Sequence, residues 1–559
     1  LSSRIVTVRH NPIPLLLVHE ILMKLSRTRG VATPPSSVWI LTLLVPPLLG
    51  LLGLALGKDA DSDFQNYHYY NPFALLNDRL HQDIAVGHHA TYYNPVPDLP
   101  LYGLIDLLSA RELGWVLATI HGLNFTLLLW LGWYLFTALA PRPRLLLAAA
   151  LALAGSLGGG ALTELGGTSN DNLISLFLLA GLLVLIRYQT QVFQASGGLV
   201  VVGLAGLLVG SAAGIKLVAV IYAVGFTMAF LFLPLPFRRR IHLILTFGLG
   251  EIAGLLLFAG PWMLILWRET GTPLFPYFND LFQSPLISPT SQRDLNFIPD
   301  SLVERLFFPF YFSFDSFKVA EFAFRDMHIL IAFVLIPLAA LFTLVQRPAS
   351  DSGWTSGLPG RYLMLGGGLS YLVWLALFCI YRYLIPLEML APLLIAIAVG
   401  MLPFTERTRL ITLATLLVIA QLLAYPDTQR RQAWGNHYLE VGVPPLATEV
   451  PRLVVMAGTS PLAYLIPHFP SRSHFLRLDG YLVSSQERDA GLAQRMRARL
   501  EHHPGPVHAL YQPHERESLI QALTAYGLEL VDSTCQPVTS SIAEDPLLCT
   551  VNAVRPLGE

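Results

Sequence analysis

Apolar and polar residues alternate along the chain in long blocks. A membrane-spanning helix needs about 20 mostly apolar residues, and about 11 stretches approach this length. These stretches lie at residues 36–57, 113–140, 144–163, 172–187, 197–213, 214–235, 241–267, 328–346, 361–381, 383–402 and 408–425. The pattern predicts an α-helical polytopic membrane protein with about 11 transmembrane helices within residues 36–426.

Basic residues mark one side of the predicted membrane. Short loops that keep Lys and Arg tend to stay in the cytoplasm. The residues that define this side are Arg4, Arg9, Lys24, Arg27, Arg29, Arg142, Arg144, Arg187, Arg238, Arg239, Arg240, Arg347, Arg361, Arg407 and Arg409. We therefore expect a cytoplasmic N-terminal arm at residues 1–35. The opposite face then receives two large outer loops, 58–112 and 268–327, and the tail at 427–559.

The tail is polar and mixed in charge, and short apolar segments recur in it. Residues 453–457, 475–478 and 507–511 have the pattern of buried strands, and residues 460–469, 488–502 and 515–526 have the pattern of helices. This alternation predicts a small extramembrane α/β domain at residues 427–559. Cys535 and Cys549 both lie in it. An outer location permits a disulfide, but spacing alone leaves two free thiols equally open.

The composition agrees with a membrane protein. Of the 559 residues, 53% are hydrophobic and 13% are charged, whereas a soluble domain has about 25% charged residues. Lys and Arg number 36 and Asp and Glu number 37, for a net charge of -1. This balance gives no electrostatic reason to expect nucleic acid as a partner. The expected surroundings are a lipid bilayer.

The first predicted outer loop contains the densest group of reactive side chains. It begins KDADSDFQNYHYYNP at residue 58 and continues HHATYYNPVPD from residue 88. Asp59, Asp61 and Asp63 alternate beside a helix end, where burial and nearby cations can tune a carboxylate to act as a general base. The alternating acids also imitate the start of a calcium-binding loop, but the Gly and Glu of that motif are missing. A further interpretation is solvated loop acids beside an interfacial aromatic belt.

Polar side chains near these acids suit a sugar or an acceptor. Tyr67, His68 and Asn94 belong to the same loop and could stack on a sugar ring and hydrogen-bond its hydroxyls. A short turn between the third and fourth predicted spans holds Glu164 and Asp171 among several glycines. This turn could line the same cavity and bind acceptor hydroxyls or a divalent ion. The alternative is an ordinary helix start, where Asp171 in the first turn favours the helix dipole.

These features together resemble the GT-C class of glycosyltransferases. The resemblance rests on a long outer loop with Asp near its start, a polytopic body, the segment TPLFPYFN at 272–279 and an outer tail domain, and it covers about residues 36–425. It implies a GT-C-like fold and a polyprenyl-phosphate-linked sugar donor, as in bacterial mannosyltransferases and aminoarabinose transferases. The acceptor would be a glycan, a lipid or a protein. The implied location is a bacterial inner membrane with the tail in the periplasm.

The resemblance also implies that an acid of the first outer loop is the catalytic base. That acid maps to Asp63 or Asp61. Asp63 is favoured because it leads directly into the segment QNYH. Other members of the class carry an adjacent acidic pair, whereas the acids of this chain alternate with other residues.

Four basic residues break the orientation rule. Lys58, Lys216, Arg268 and Arg382 lie at the outer ends of predicted spans, where basic residues are disfavoured. A lipid phosphate presents its anion at that depth, and Arg and Lys side chains are suitable partners for it. We therefore expect these four residues to bind the donor phosphate. The alternative is that they are snorkelling interfacial cations.

A carboxylate in the seventh predicted span supports a second hypothesis. Glu251 lies roughly 15 Å along that helix at the standard rise, close to mid-membrane, where an ionisable side chain indicates a function. The chain could then be a transporter or a lipid flippase, although its polar residues concentrate in the outer loops. A non-catalytic assembly subunit is a third hypothesis. No cofactor is identified, and a divalent cation such as Mg²⁺ or Mn²⁺ stays open.

Overall fold

The computed structural model describes residues 34–194, 197–290, 292–346, 354, 357–487 and 491–553. Nearly all of the predicted N-terminal arm, residues 1–35, lies outside the described residues. The chain forms two compact units, residues 1–41 and 42–559. The described part of the first unit is mainly the start of the first helix, and the second unit contains the candidate site.

Helices dominate the described chain before residue 427. Their bounds are α1 Ser36–Leu56, α2 Tyr70–Leu76, α3 Leu99–Leu104, α4 Ala110–Leu135, α5 Pro141–Ser156, α6 Gly159–Thr163, α7 Asp171–Arg187, α8 Leu199–Ile215, α9 Val220–Ala229, α10 Phe237–Thr270, α11 Asn279–Phe282, α12 Leu302–Leu306, α13 Phe308–Phe312, α14 His328–Gln346, α15 Gly357–Leu377, α16 Ile385–Met401 and α17 Glu406–Leu423. Local chemistry sets several of these starts. At α4, the Ser109 hydroxyl accepts the N–H of Glu112 and the Glu112 carboxylate accepts the N–H of Ser109, which is a reciprocal capping box.

Among the described residues, five helices are long and apolar enough to cross a membrane. They are Ser36–Leu56, Ala110–Leu135, Phe237–Thr270, His328–Val345 and Tyr381–Met401. Other predicted spans form shorter helices, such as α5 with 16 residues and α7 with 17. At 1.5 Å per residue these are about 24–26 Å long, which is less than the roughly 30 Å of a hydrocarbon core. The mostly helical body is confirmed, with five candidate spans where the sequence predicts about 11.

Close packing of α8 and α10 positions one of the predicted cations. A Cβ atom on Gly210 would lie 1.9 Å from the backbone oxygen of Glu251, so only glycine fits at this crossing. Helix α8 ends at Ile215 because Lys216 adopts an extended backbone, with φ of −140° and ψ of 114°. A short 3-10 turn then leads into α9. Lys216 therefore lies at the break between two apolar helices.

The tail is built around a five-stranded sheet. The strands of the chain are β1 Lys58–Asp59, β2 Arg431–Gln432, β3 Val441–Gly442, β4 Arg452–Met456, β5 Ser473–Arg477, β6 Val507–Tyr511, β7 Leu528–Pro537, β8 Thr539–Ser540 and β9 Leu547–Ala553, and the tail helices are α18 Gly491–Glu501 and α19 Arg516–Ala525. The sheet order is β5-β4-β6-β9-β7. Strands β5, β4 and β6 are parallel, and β9 and β7 are antiparallel to their neighbours.

The sequence predicts three strands and three helices in the tail. Strands β4, β5 and β6 lie where the sequence predicts buried strands, and α18 and α19 lie where it predicts the second and third helices. The predicted helix at 460–469 is a 3-10 turn at Ala463–His468. Strands β7 and β9 are additional, and they bring Cys535 and Cys549 together in a disulfide.

The 58–112 loop is joined to this sheet. Ile84 forms a parallel bridge with Leu476 of β5. Its N–H donates to the carbonyl of Phe475 at 2.9 Å, and its carbonyl accepts the N–H of Arg477 at 3.1 Å. One hydrophobic core contains side chains of both segments, namely Phe64, Tyr70 and Val86 from the loop and Val454, Leu465 and Phe475 from the tail. The loop that carries the predicted base is therefore held by the tail.

Candidate functional site

Asp63 lies at the start of a π-helical turn, Phe64–His68, which follows β1 in the 58–112 loop. Its Oδ2 atom is 2.7 Å from Nη1 of Arg382 and accepts a hydrogen bond from the Tyr67 hydroxyl at 3.2 Å. Burial by itself would raise the pKa of Asp63, but nearby positive charge, chiefly that of Arg382 and Lys216, and the Tyr67 hydrogen bond together outweigh burial and lower that pKa to about 2. The carboxylate is therefore ionised at neutral pH and is held by a cation.

Arg382 and Lys216 lie near the same aromatic ring. Arg382 belongs to a 3-10 turn, Tyr381–Leu384, directly before α16. Its guanidinium carbon is 5.7 Å from the centre of the Tyr383 ring, and Nζ of Lys216 is 5.6 Å from that centre. Nζ of Lys216 is also 2.7 Å from Oδ2 of Asp171. Two of the predicted phosphate-binding cations are thus brought together, each with a carboxylate partner.

Three tyrosines form a chain of contacts that begins at the Asp63 carboxylate. The rings of Tyr67 and Tyr93 meet edge to face, with centres 5.1 Å apart. The Tyr93 hydroxyl is hydrogen-bonded to that of Tyr277, whose ring stacks on Tyr93 at 5.9 Å. Tyr277 belongs to the TPLFPYFN segment of the 268–327 loop. The two loops therefore meet beside Asp63 with phenol groups and aromatic faces, which are the groups that bind sugars by hydrogen bonding and stacking.

His68 is fixed beside this cluster by a carboxylate. Its Nδ1 atom is 2.8 Å from Oδ1 of Asp98, and the Asn170 amide donates to the same oxygen at 3.0 Å. Both members of the His68–Asp98 pair are buried. Burial lowers the pKa of His68, but the charge and hydrogen bond of Asp98 and the charge of Asp63 together outweigh burial, so that the net shift is upward. The Asp98 contact therefore fixes the His68 end of the π-helical turn, and the upward shift favours the charged form of His68 near Asp63.

Asp61 faces a different cation. Its Oδ2 atom is 2.9 Å from Nη1 of Arg430, and Arg430 also contacts Glu164 at 3.4 Å and Asp427 at 2.8 Å. Burial and the negative charges of Asp63 and Asp59 raise the pKa of Asp61, and Arg430 opposes that rise. Burial also raises the pKa of Glu164 to about 7 despite Arg430. These acids form a second charged cluster adjoining the first.

Two predicted site residues have other contacts, and a third is exposed. Lys58 is 1% exposed and donates to the backbone carbonyls of Tyr438 and Ser541 in the tail. The Asn94 amide donates to the carbonyls of Gly214 and Phe258, which fastens the loop to α8 and α10. Arg268 is exposed near the end of α10.

Glu251 is held by a neighbouring helix. The Thr227 hydroxyl donates to its Oε2 atom at 2.7 Å. Among the described contacts, none joins Glu251 to Asp63, Arg382 or Lys216.

The sequence reasoning missed Arg430, Tyr93, Tyr277 and Asp98. The tyrosines and Asp98 lie inside segments that it singled out, but no signal distinguished them from their neighbours. Arg430 did carry a signal, because it follows the last predicted span on the side where basic residues are disfavoured. The rule that selected Lys58 would therefore have selected Arg430 as well.

The acidic and histidine side chains of the described residues bear on whether a divalent ion could bind. Within the part of the chain that the structure describes, no group of three or more His, Cys, Asp or Glu residues is arranged to hold a metal. The candidate site is therefore composed of carboxylates paired with Arg and Lys side chains, with phenol groups around them.

The likeness of this chain to known proteins is structural. No protein-family profile matches the chain, and no curated protein sequence matches it. Among solved structures, the chain is similar to the crystal structure of ArnT from Cupriavidus metallidurans bound to undecaprenyl phosphate. The TM-score is 0.44 at 12% sequence identity, and the match covers 91% of this chain and 97% of that chain. The likeness concerns the chain trace alone.

Proposed function

We propose that this chain is an integral-membrane glycosyltransferase that moves a sugar from a polyprenyl-phosphate-linked donor to an acceptor hydroxyl. One observation supports this most directly: the ionised Asp63 carboxylate lies 2.7 Å from Arg382, and Lys216 lies near the same tyrosine ring. A general base and two cations that can hold a phosphate are the groups that this transfer needs. The acceptor is a glycan, a lipid or a protein.

In the proposed reaction, Asp63 acts as the base. The acceptor oxygen attacks the anomeric carbon while its proton passes to the Asp63 carboxylate. The bond from that carbon to the phosphate oxygen breaks, and polyprenyl phosphate leaves with the bonding electron pair. Arg382 and Lys216 stabilise the negative charge that develops on this phosphate. A single displacement of this kind inverts the configuration at the anomeric carbon.

Asp63 is better placed for this role than Asp61. The side chain of Asp63 is 16% exposed, whereas that of Asp61 is 2% exposed. Both oxygens of Asp61 are engaged, because Oδ1 accepts from Ser62 and from the N–H of Asp63 and Oδ2 binds Arg430. Only Oδ2 of Asp63 is paired with Arg382, and the donor phosphate would attract this arginine away from the carboxylate.

Donor binding would also activate the base. In the free protein Arg382 and Lys216 lower the pKa of Asp63 to about 2, which makes the carboxylate a weak base. A bound phosphate neutralises part of that positive charge, and burial then raises the pKa of Asp63 toward the range where it accepts a proton. Deprotonation of the acceptor is thereby coupled to the presence of the donor.

The remaining predicted groups complete the proposal. Tyr67, with Tyr93 and Tyr277, would contact the sugar, and Asp171 would orient Lys216. Glu164 and His68 would support the surrounding turns. In the membrane, the body would have about 11 spans with the N-terminus in the cytoplasm. The site and the α/β tail would face the periplasm of a bacterial inner membrane.

The proposal is tested with the purified full-length protein in nanodiscs and a set of radiolabelled polyprenyl-phosphate sugars. Asp63→Asn should abolish transfer while keeping the donor bound, because the amide cannot accept the proton. The matched control is Asp78→Asn, since Asp78 is an exposed acid of the same loop, and it should keep wild-type activity. Full transfer by the Asp63→Asn protein would refute the assignment of the base.

The same preparation tests the transporter alternative. If Glu251→Gln abolished flipping or uptake of a lipid-linked sugar in proteoliposomes while Asp63→Asn had no effect, the chain would be a transporter. The convergence of charged groups at Asp63, rather than at Glu251, favours the transferase.

A further inference from the structure

Arg430 lies where three separate parts of the chain meet. Its Nη1 atom is 2.9 Å from Asp61 in the 58–112 loop, and its Nη2 atom is 3.4 Å from Glu164 after α6. Its Nε atom is 2.8 Å from Asp427, which follows the last helix of the body. A single guanidinium thus contacts three carboxylates with three different nitrogen atoms.

The carboxylates around Arg430 are shielded from water. Asp61, Glu164 and Asp427 are 2%, 3% and 4% exposed. The Arg430 guanidinium lies 3.9 Å from the ring centre of Phe322, so one of its faces is covered by an aromatic side chain. Several buried negative charges close together are unstable without positive charge among them. Arg430 supplies that charge from within the chain.

Other oxygens of Asp427, Asp61 and the nearby Asp59 accept hydrogen bonds from backbone and hydroxyl groups. Oδ1 of Asp427 accepts the N–H of Gln429, and Oδ1 of Asp61 accepts the N–H of Asp63. Oδ2 of nearby Asp59 accepts the N–H and the hydroxyl of Thr168. Mg²⁺ and Mn²⁺ bind through convergent oxygen atoms, whereas here the oxygens converge on Arg430. The arrangement does not suit a divalent ion.

We propose that Arg430 is a built-in counter-cation that occupies the place a divalent metal would take in this acidic cluster, so that the chain acts without one. Arg430 is a positioning residue. It holds Asp61, which lies two residues before the proposed base Asp63, and it connects Asp61 to Asp427 at the start of the tail. The activity part of this inference rests on the proposed transferase function. The metal-binding part does not.

The first test measures Mn²⁺ binding to the purified, chelator-treated full chain by electron paramagnetic resonance. Wild-type protein should bind no Mn²⁺ at this cluster. Arg430→Ala should bind Mn²⁺ at least about tenfold more tightly than wild type, because a unit positive charge a few Å from the ion is removed. If wild type binds Mn²⁺ as tightly as Arg430→Ala, or if the variant gains no binding, the proposal is wrong.

Arg431→Ala is the matched control. Arg431 is the next residue and carries the same charge, but its guanidinium donates to the backbone carbonyls of Gly57, Thr163 and Leu165. Its removal exposes no carboxylate, so it should gain no Mn²⁺ binding, and an equal gain would show a nonspecific effect and refute the proposal. Arg430→Gln keeps the stem over Phe322 and replaces Arg430→Ala if that variant does not fold.

A second test needs only wild-type protein. Sugar transfer should be unchanged by a metal chelator and by added Mg²⁺ or Mn²⁺. If transfer is lost with chelator and recovered with metal, the proposal that Arg430 replaces a metal is wrong, whereas the transferase proposal still stands. If wild type transfers no sugar under any metal condition, the transferase proposal fails and the Mn²⁺ comparison still decides the role of Arg430.

Discussion

Asp83→Asn should detach the 58–112 loop from the sheet of the tail. The two oxygens of Asp83 accept two hydrogen bonds from Arg79, both at 2.9 Å, one from the Tyr70 hydroxyl at 2.8 Å and one from the N–H of Phe475 at 2.9 Å. Asp83 is 1% exposed and Arg79 is 5% exposed. The asparagine has one acceptor oxygen in place of two, and its NH₂ group would face donors.

The expected loss of stability is large because the Arg79 charge stays buried. Removing one partner of a buried ion pair costs about 3–5 kcal/mol. The control is Asp78→Asn, which removes the same charge from an exposed position in the same loop and should change stability by less than about 0.5 kcal/mol. Arg79 would keep its bonds to the carbonyls of Ser471 and Ser473, so local detachment is expected before the tail itself unfolds.

Hydrogen–deuterium exchange of the purified protein measures this directly. In Asp83→Asn, the amides of Ile84 and Phe475 should lose protection, because the bridge between the loop and β5 depends on the Asp83 carboxylate. Denaturant-induced unfolding followed in parallel gives the global change. Equal exchange at these two amides in Asp83→Asn and Asp78→Asn would refute the claim that this buried pair joins the loop to the tail.

Two further predictions concern titration. Arg382→Gln removes the cation that most lowers the pKa of Asp63. The acidic limb of the pH–rate profile of residual transfer should therefore move upward by at least about one pH unit. If this limb does not move, the titration of Asp63 does not control the rate. Burial raises the pKa of Glu164 from 4.5 to about 7. The protonated side chain therefore adds to the free energy of unfolding by at most about 3 kcal/mol. This stabilisation is fully present below pH 4.5 and is lost as the pH rises through about 7. Glu164→Gln should flatten that part of the stability–pH curve, and an identical slope in wild type and variant would contradict the assignment.

The sequence predicts the parts of this molecule that depend on local patterns. Apolar runs identify most of the helices, and alternating apolar segments predict β6 at residues 507–511, where the structure has Val507–Tyr511. Strand β7 was missed because it carries mostly exposed and polar residues over Leu528–Pro537, which lack a strand pattern. Its place in the sheet is set by pairing with β9, a nonlocal contact.

In the candidate site, too, the sequence indicates the residue types but not their partners. The chemistry of Asp63, Lys216 and Arg382 could be inferred from charge and position, and these residues do lie together. Their pairing could not be inferred, since Asp63 and Arg382 are 319 residues apart and are joined only by the packing of the helices. Lys58 is a predicted phosphate-binding residue that does not join this group. The same orientation rule selects it, yet the tail folds over it and its charge is directed to backbone carbonyls.

The two neighbouring acids differ in role because of how firmly each partner is held. Arg430 contacts three buried carboxyl groups, so an incoming anion would have to break three contacts to draw it from Asp61. Within the described residues, Arg382 has a single carboxylate within ion-pair distance, Asp63. A phosphate can therefore compete for Arg382 at much lower cost than for Arg430. The site then has one fixed ion pair and one exchangeable pair, and the acid of the exchangeable pair is the one whose basicity a bound donor can change.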